Sequence, residues 1–264
     1  MIIGLVSCYR EGRLLLGAAR SAAAGCHLVG VFEGPIGKVA DWKDEGLPSP
    51  LAEAAKLKRV IVAPNNRQGW ASEAEKRSYM LEWAKGKHAT NRQANEPLWV
   101  LWVDGDEVLM WGEHLIDWCD RAQGETGAGG FSMRIVELDG SVALAHGRIF
   151  QAHYVQRFLV AASQVELTGG VVVTMPNEKV CRAGGVPWGA VPMRQLPDQT
   201  IAPVGADSDE MEMFLARHRP PLAGEPHILH RSMLRDPKRG VQRMHEAEGE
   251  SFRELTGGNG GRTT

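Results

Sequence analysis

A chain of 264 residues with 43% hydrophobic and 23% charged side chains can bury a sizeable core, has room for one large or two small domains, and is not a disordered polymer. Thirty Lys and Arg against 32 Asp and Glu leave a formal net charge of -2, so no overall basic field draws it toward nucleic acid or an anionic membrane. Any polyanion must be held by a local patch.

The apolar run Ile2 to Ser7 predicts a strand, and Leu14, Leu15, Ala18, Ala19 and Ala22 recur at helical spacing over Glu11 to Ala24 before Gly25. A second strand, His27 to Phe32, ends at the breaker cluster Glu33, Gly34 and Pro35. Ser49 and Pro50 suit the start of a short helix through Lys56, and Arg59 to Ala63 reads as a third strand. Ser72 with Glu75 forms a capping box for a helix to about Lys85, whose buried stripe is Met80, Leu81, Trp83 and Ala84. Leu98 to Val103 is apolar on both faces, as a central strand of a covered, mostly parallel sheet must be. The first half therefore predicts an open α/β sheet, with ligands at the carboxyl ends of its strands.

Gly127 to Leu138, Val142 to Phe150, Tyr154 to Val160 and Val165 to Thr174 are β-rich, with a hairpin turn expected at Asp139 and Gly140. Arg182 to Pro226, rich in Pro and Gly, predicts long loops. A last helix is expected from Asp236 to Leu255, then a disordered tail over 256–264. The expected organisation is one domain over 1–255, its 1–110 half binding a ligand and its 111–255 half irregular and β-rich. Cys8, Cys26, Cys119 and Cys181 form no C-x-x-C pair, which argues against a zinc site or disulfide framework and for thiols in a reducing compartment. With no apolar run near the ~18 residues of a membrane helix, the expected location is cytoplasmic.

The sharpest motif is W-V-L-W-V-D-G-D-E from Trp99 to Glu107, which sets two carboxylates at the end of a buried strand. In extended chain residues i and i+2 face the same way, so Asp104 and Asp106 can converge on one hard divalent cation while Gly105 lets a phosphate approach the backbone. The alternative is a type I′ hairpin at Asp104 and Gly105. His227 and His230 lie three apart, so on a strand only one of them can reach such a cation. An imidazole in the site suits manganese better than magnesium. Lys76 and Arg77 at a helix amino end can add positive charge, although a solvated helix face is the ordinary alternative.

The V-D-G-D-E-V-L run from Val103 to Leu109 resembles the D-x-D-E element of family 2 glycosyltransferases of the GT-A fold. Gly4 to Leu15 (G-L-V-S-C-Y-R-E-G-R-L-L) is similar to that family's first strand and following loop, with Arg10 where asparagine is usual. Val31 to Gly34 resembles its second strand, with Glu33 where Asp is usual, and Ser72 to Arg77 resembles the helix that faces the donor. The R-I-F from Arg148 to Phe150 and the H-I-L-H-R from His227 to Arg231 resemble later elements, the second carrying the histidine that completes the metal site.

The resemblance implies a Rossmann-like GT-A sheet with an acceptor-binding second half. It implies a nucleotide-sugar donor, a uridine diphosphate sugar first, and an Mn2+ or Mg2+ ion held by Asp104, Asp106 and His230. Ser7, Tyr9, Glu11, Glu33, Lys76, Arg77, Asp104 and Gly105 would contact the donor. Inverting members use a carboxylate base, for which Glu166 and the acidic loop of Asp207, Asp209 and Glu210 are the candidates, with Glu166 and Asp209 preferred. Arg231, Arg235, Arg239 and Arg243 concentrate positive charge, and 235, 239 and 243 share a helix face that either is solvated or holds an acceptor. Unanchored viral members, some of which glucosylate hydroxymethylated DNA bases, make DNA carrying 5-hydroxymethylcytosine the first acceptor and a protein or glycan hydroxyl the second. A metal-dependent nucleotidyltransferase lacks support without a G-x-x-x-x-G-K-[ST] loop. A non-enzymatic carbohydrate- or nucleic-acid-binding module would need Asp104 and Gly105 to be a mere turn.

Overall fold

The computed structural model describes residues 1–9, 11–36, 49–63, 69–91, 96–126, 130–131, 133–144, 148–160, 164–167, 172–174, 193–195, 201–203, 221 and 223–231. Met1–Arg231 forms one compact unit. The expected last helix and tail, with Arg235, Arg239 and Arg243, lie outside the described residues, as do Arg10, Cys181, Asp207, Asp209 and Glu210.

Strand β1 (Ile2–Cys8) is followed by α1 (Leu14–Gly25), β2 (Leu28–Glu33), α2 (Ser49–Ala54), β3 (Val60–Val62), α3 (Glu73–Ala89) and β4 (Trp99–Asp104). Helix α1 begins three residues later than expected, because Gly12 turns the chain at φ +56° and Leu14 N–H donates to Glu11 O instead. Its stripe of Leu15, Ala18, Ala19 and Ala22 is buried as the spacing requires. Ser72 Oγ accepts from Glu75 N–H, which is the first arm of the capping box, while the Glu75 carboxylate turns back to Ala71 N–H.

Strands β3, β2, β1 and β4 run parallel, and two short strands extend the sheet beyond β4. These are β6 (Gly130–Phe131) and β9 (Ile149–Gln151), and the order is β3-β2-β1-β4-β9-β6 with β9 antiparallel to β4. The central sheet thus draws strands from beyond residue 110. Strand β4 is apolar on both faces because it serves two cores. Trp99, Leu101 and Val103 pack with α1 residues, whereas Val100 and Trp102 pack with Met80, Leu81 and Ala84 of α3.

A second sheet holds β5 (Glu107–Met110), β7 (Arg134–Glu137), β8 (Val142–Leu144) and β15 (His227–His230) in the order β5-β15-β7-β8. Strand β15 is antiparallel to β5 and parallel to β7. Helix α4 (Leu115–Thr126) follows β5, and Leu109, Leu115, Cys119 and Ile228 join the α1 core. The hairpin between β7 and β8 turns at Asp139 and Gly140 as expected, with Gly140 at φ +85° and Asp139 Oδ1 accepting from Ser141 N–H. A third sheet contains β10 (Val155–Val160), β11 (Gln164–Leu167) and β12 (Val172–Thr174). Within the stretch expected as loops, β13 (Met193–Gln195) pairs with β14 (Ile201–Pro203). Cys8, Cys26 and Cys119 are free and buried, and among the described residues no helix is long and apolar enough to cross a membrane.

Candidate functional site

From β1 the chain steps outward through β2 to β3, then returns to lay β4 on the other side of β1. Strand order reverses between β1 and β4, and in an open α/β sheet that is where a crevice opens at the carboxyl ends. Ser7 pairs with Asp104 there, and Gly105 N–H donates to Ser7 O at 2.8 Å. A Cβ on Gly105 would lie 2.5 Å from Glu11 Cγ and 2.7 Å from Cys8 Cβ. Glycine is needed for this close approach of turn to strand, a packing reason that the motif itself does not disclose.

The hairpin alternative does not hold, since β5 pairs with β15 rather than β4, and Gly105 is not among the residues with positive φ. Nor does the chain stay extended from Asp104 to Asp106. Strand β4 ends at Asp104 and residues 105–106 form a turn, so the two carboxylates take different partners. Asp104 Oδ2 lies 3.5 Å from Arg148 Nη2. Asp106, wholly buried, has Oδ2 at 3.1 Å from His230 Nε2.

Two side-chain chains build the site. In the first, Arg148 Nη2 donates to Glu107 Oε1 at 2.6 Å, and Glu107 Oε2 accepts from Asp104 N–H at 2.7 Å. Burial pushes the Glu107 carboxyl up to about 7 against the pull of Arg148, with Asp104 adding to the rise. Burial opposes the charge of Arg148, but Glu107 and Asp104 more than offset it and raise its pKa. In the second, His230 Nδ1 meets Glu137 Oε1 at 2.8 Å while Nε2 faces Asp106. The Asp106 hydrogen bond, working against burial and helped by Glu137, raises His230 to about 9. Arg231 closes the group: its N–H and Nε donate to Asp106 O, and Nη2 donates to Leu14 O at 2.7 Å. Arg231 thereby ties β15, the turn and α1 together.

His227 follows the parity of the strand, its Nδ1 2.8 Å from Glu225 O and its imidazole lowered by burial and by Arg134. Lys76 is only 2% exposed, and Nζ donates to Cys8 O at 3.0 Å and Gly34 O at 3.1 Å. It joins the ends of β1 and β2 instead of lying on a solvated helix face. Tyr9, Glu11 and Glu33 are buried at the same strand ends, and Cys8 Sγ lies 3.6 Å from Glu33 Oε2. Burial, then Glu33, pushes the Cys8 thiol up, with Glu11 adding to the rise and Lys76 opposing it. Arg77 lies over the Trp102 ring at 4.4 Å and pairs with Glu73 one helical turn before it. Glu166, on β11, pairs with Arg157 at 2.7 Å.

Asp106 Oδ2 and His230 Nε2, 3.1 Å apart, are joined by a hydrogen bond whose proton a divalent cation would have to displace. Among the described residues no three His, Cys, Asp or Glu side chains gather as a ligand set, and Asp104 faces Arg148. Glu107, Arg148 and Glu137 were not among the assigned site residues. The acid directly after D-G-D and the R-I-F arginine were the available signals for the first two, and Glu137 had none. No protein-family model and no curated protein matches the chain.

Proposed function

We propose that this protein is a metal-dependent glycosyltransferase of the GT-A type, moving a sugar from a nucleotide-sugar donor to a hydroxyl acceptor. The observation that supports this most is the D-G-D turn lying where strand order reverses between β1 and β4, beside half-buried Ser7 and buried Tyr9 and Glu33 at the strand ends. Asp106 and His230 would hold Mn2+ or Mg2+, with Asp104 at the other end of the turn. When bound, the ion supplies Lewis-acid neutralisation of the departing pyrophosphate. The protein's own work is orientation. Glu107 and Arg148 fix the Asp104 end of the turn, Arg231 fixes its Asp106 end, and Lys76 keeps the ends of β1 and β2 together. A carboxylate, Glu166 or Asp209, would take the proton of the acceptor hydroxyl as the donor bond to the sugar breaks.

Uridine diphosphate sugars are the first donors to try, and DNA bearing 5-hydroxymethylcytosine is the first acceptor, ahead of a protein or glycan hydroxyl. The DNA choice rests on the basic spacing of Arg235, Arg239 and Arg243. Calorimetry with UDP, with and without Mn2+, is expected to show binding that the metal strengthens. Transfer is expected to fall roughly a hundredfold in Asp104→Asn with the fold kept. UDP binding indifferent to metal would sink the reading. No added hexose on the hydroxymethylated base, after digestion to nucleosides and mass analysis, would remove DNA as the acceptor.

A further inference from the structure

We propose that Arg231 is a positioning residue for the D-G-D turn and that Gly17, inside α1, is the seat that lets it act. This rests on reading the turn as the ligand site. The guanidinium bridges two backbone carbonyls that belong to different parts of the fold. Nε donates to Asp106 O at 3.2 Å, and Nη2 donates at 2.7 Å to the carbonyl of Leu14, the first residue of α1. The Arg231 N–H also donates to Asp106 O, at 3.1 Å, so main chain and side chain hold the same carbonyl from the end of β15. Both acceptors are neutral, so the task depends on where the donors point rather than on charge. The planar fork of arginine fixes those directions, whereas a lysine ammonium has one nitrogen to share between the two carbonyls.

The guanidinium crosses α1 at Gly17. A Cβ there would lie 2.7 Å from Arg231 Nη1, 2.9 Å from Nη2 and 3.2 Å from Cζ, and these are the three atoms it would meet first. Gly17 takes no positive φ, so the backbone itself does not call for glycine. Glycine is a poor residue for a helix interior, and Leu14, Leu15, Leu16, Ala18 and Ala19 around it are good ones. The helix therefore carries an unfavourable residue at the one place where the arginine needs the space. A methyl at this position leaves the helix intact and displaces the end of a flexible side chain, so the effect should be one of orientation rather than folding.

The test uses the full chain with Gly17→Ala, Arg231→Lys, Arg231→Ala and the double variant of Gly17→Ala with Arg231→Ala. In urea unfolding, Gly17→Ala is expected to lower the midpoint in the wild-type background. It should raise the midpoint in the Arg231→Ala background, where the helix preference of alanine meets no opposing contact. In nitrogen NMR, an arginine Nε–H signal assigned by its loss in Arg231→Ala is expected to be protected from solvent exchange in the wild type and to lose that protection in Gly17→Ala. Calorimetric titration with UDP in the presence of Mn2+, at a temperature where every variant is folded, should show roughly 10- to 100-fold weaker binding in both Gly17→Ala and Arg231→Lys. A midpoint change of the same sign in both backgrounds overturns the seat, as does an Nε–H signal that Gly17→Ala leaves unmoved. Wild-type UDP affinity in both Gly17→Ala and Arg231→Lys overturns the positioning role. If the wild type binds no UDP, the glycosyltransferase reading falls, and the midpoints and the arginine signal alone decide whether Gly17 seats Arg231.

Discussion

At His230 the proton is held by two carboxylates, and this makes stability depend on pH in a defined sense. The folded state raises the imidazole from its ordinary 6.5 to about 9, chiefly through the Asp106 hydrogen bond. The folded chain therefore binds this proton more tightly than the unfolded chain, so the contribution is fully present below pH 6.5 and is lost as pH rises through about 9. In urea unfolding, the stability difference between wild type and His230→Gln is expected to be flat at lower pH and to shrink across that window. A difference that does not vary with pH would mean a neutral imidazole. Gly105 makes a steric case. An added methyl meets Glu11 Cγ at 2.5 Å and Cys8 Cβ at 2.7 Å, and both neighbours are buried. Gly105→Ala is expected to cost about 1–3 kcal/mol, measured by urea unfolding, because the turn must lift off β1.

Between elements, the ends of β1 and β2 are joined by one ammonium. Lys76→Met keeps the bulk and the burial but removes the donor from Cys8 O and Gly34 O. The expected loss is about 2–4 kcal/mol in thermal or urea unfolding, since two buried carbonyls lose a charged partner. A change well under 1 kcal/mol would show that the tie carries no stability. The parallel half of the sheet was legible in the sequence because its signals are local: apolar runs, an Ala stripe and a capping box all sit within one element. Helix α3 runs to Ala89 rather than Lys85: Gly86 takes no positive φ, its carbonyl accepts from Thr90 N–H, and Lys87 and His88 complement the final turn. The site was legible as a motif but not as an arrangement. Glu107 meets Arg148 across 41 residues and His230 meets Glu137 across 93, and no local period marks such partners. The D-G-D spacing suggests extended chain, whereas Gly105 packs against Cys8 and Glu11 and the chain turns there.

For the molecule as a whole, the second sheet depends on a strand that arrives late in the sequence. β15 is flanked by β5 and β7, carries the buried Ile228, and continues into Arg231. A chain ending at Arg231 is expected to unfold cooperatively by circular dichroism. One ending at Pro221 should lose about 3 kcal/mol or more, from the removal of Ile228 alone. Equal stability of the two would show that β15 is dispensable. The same connectivity has a consequence during synthesis. Asp106 and Arg231 are 125 residues apart, and ribosomes add roughly 5–20 residues per second, so on the order of ten seconds separate the emergence of the turn from that of the arginine that closes on the Asp106 carbonyl. Through that interval β5, which pairs with β15 alone among the described strands, is an open edge next to Asp106, whose contacts with His230 and Arg231 have yet to form. The nascent protein is then prone to pairing with a neighbouring chain. Slow translation over the middle of the message would lengthen that exposure and favour association of the nascent chains.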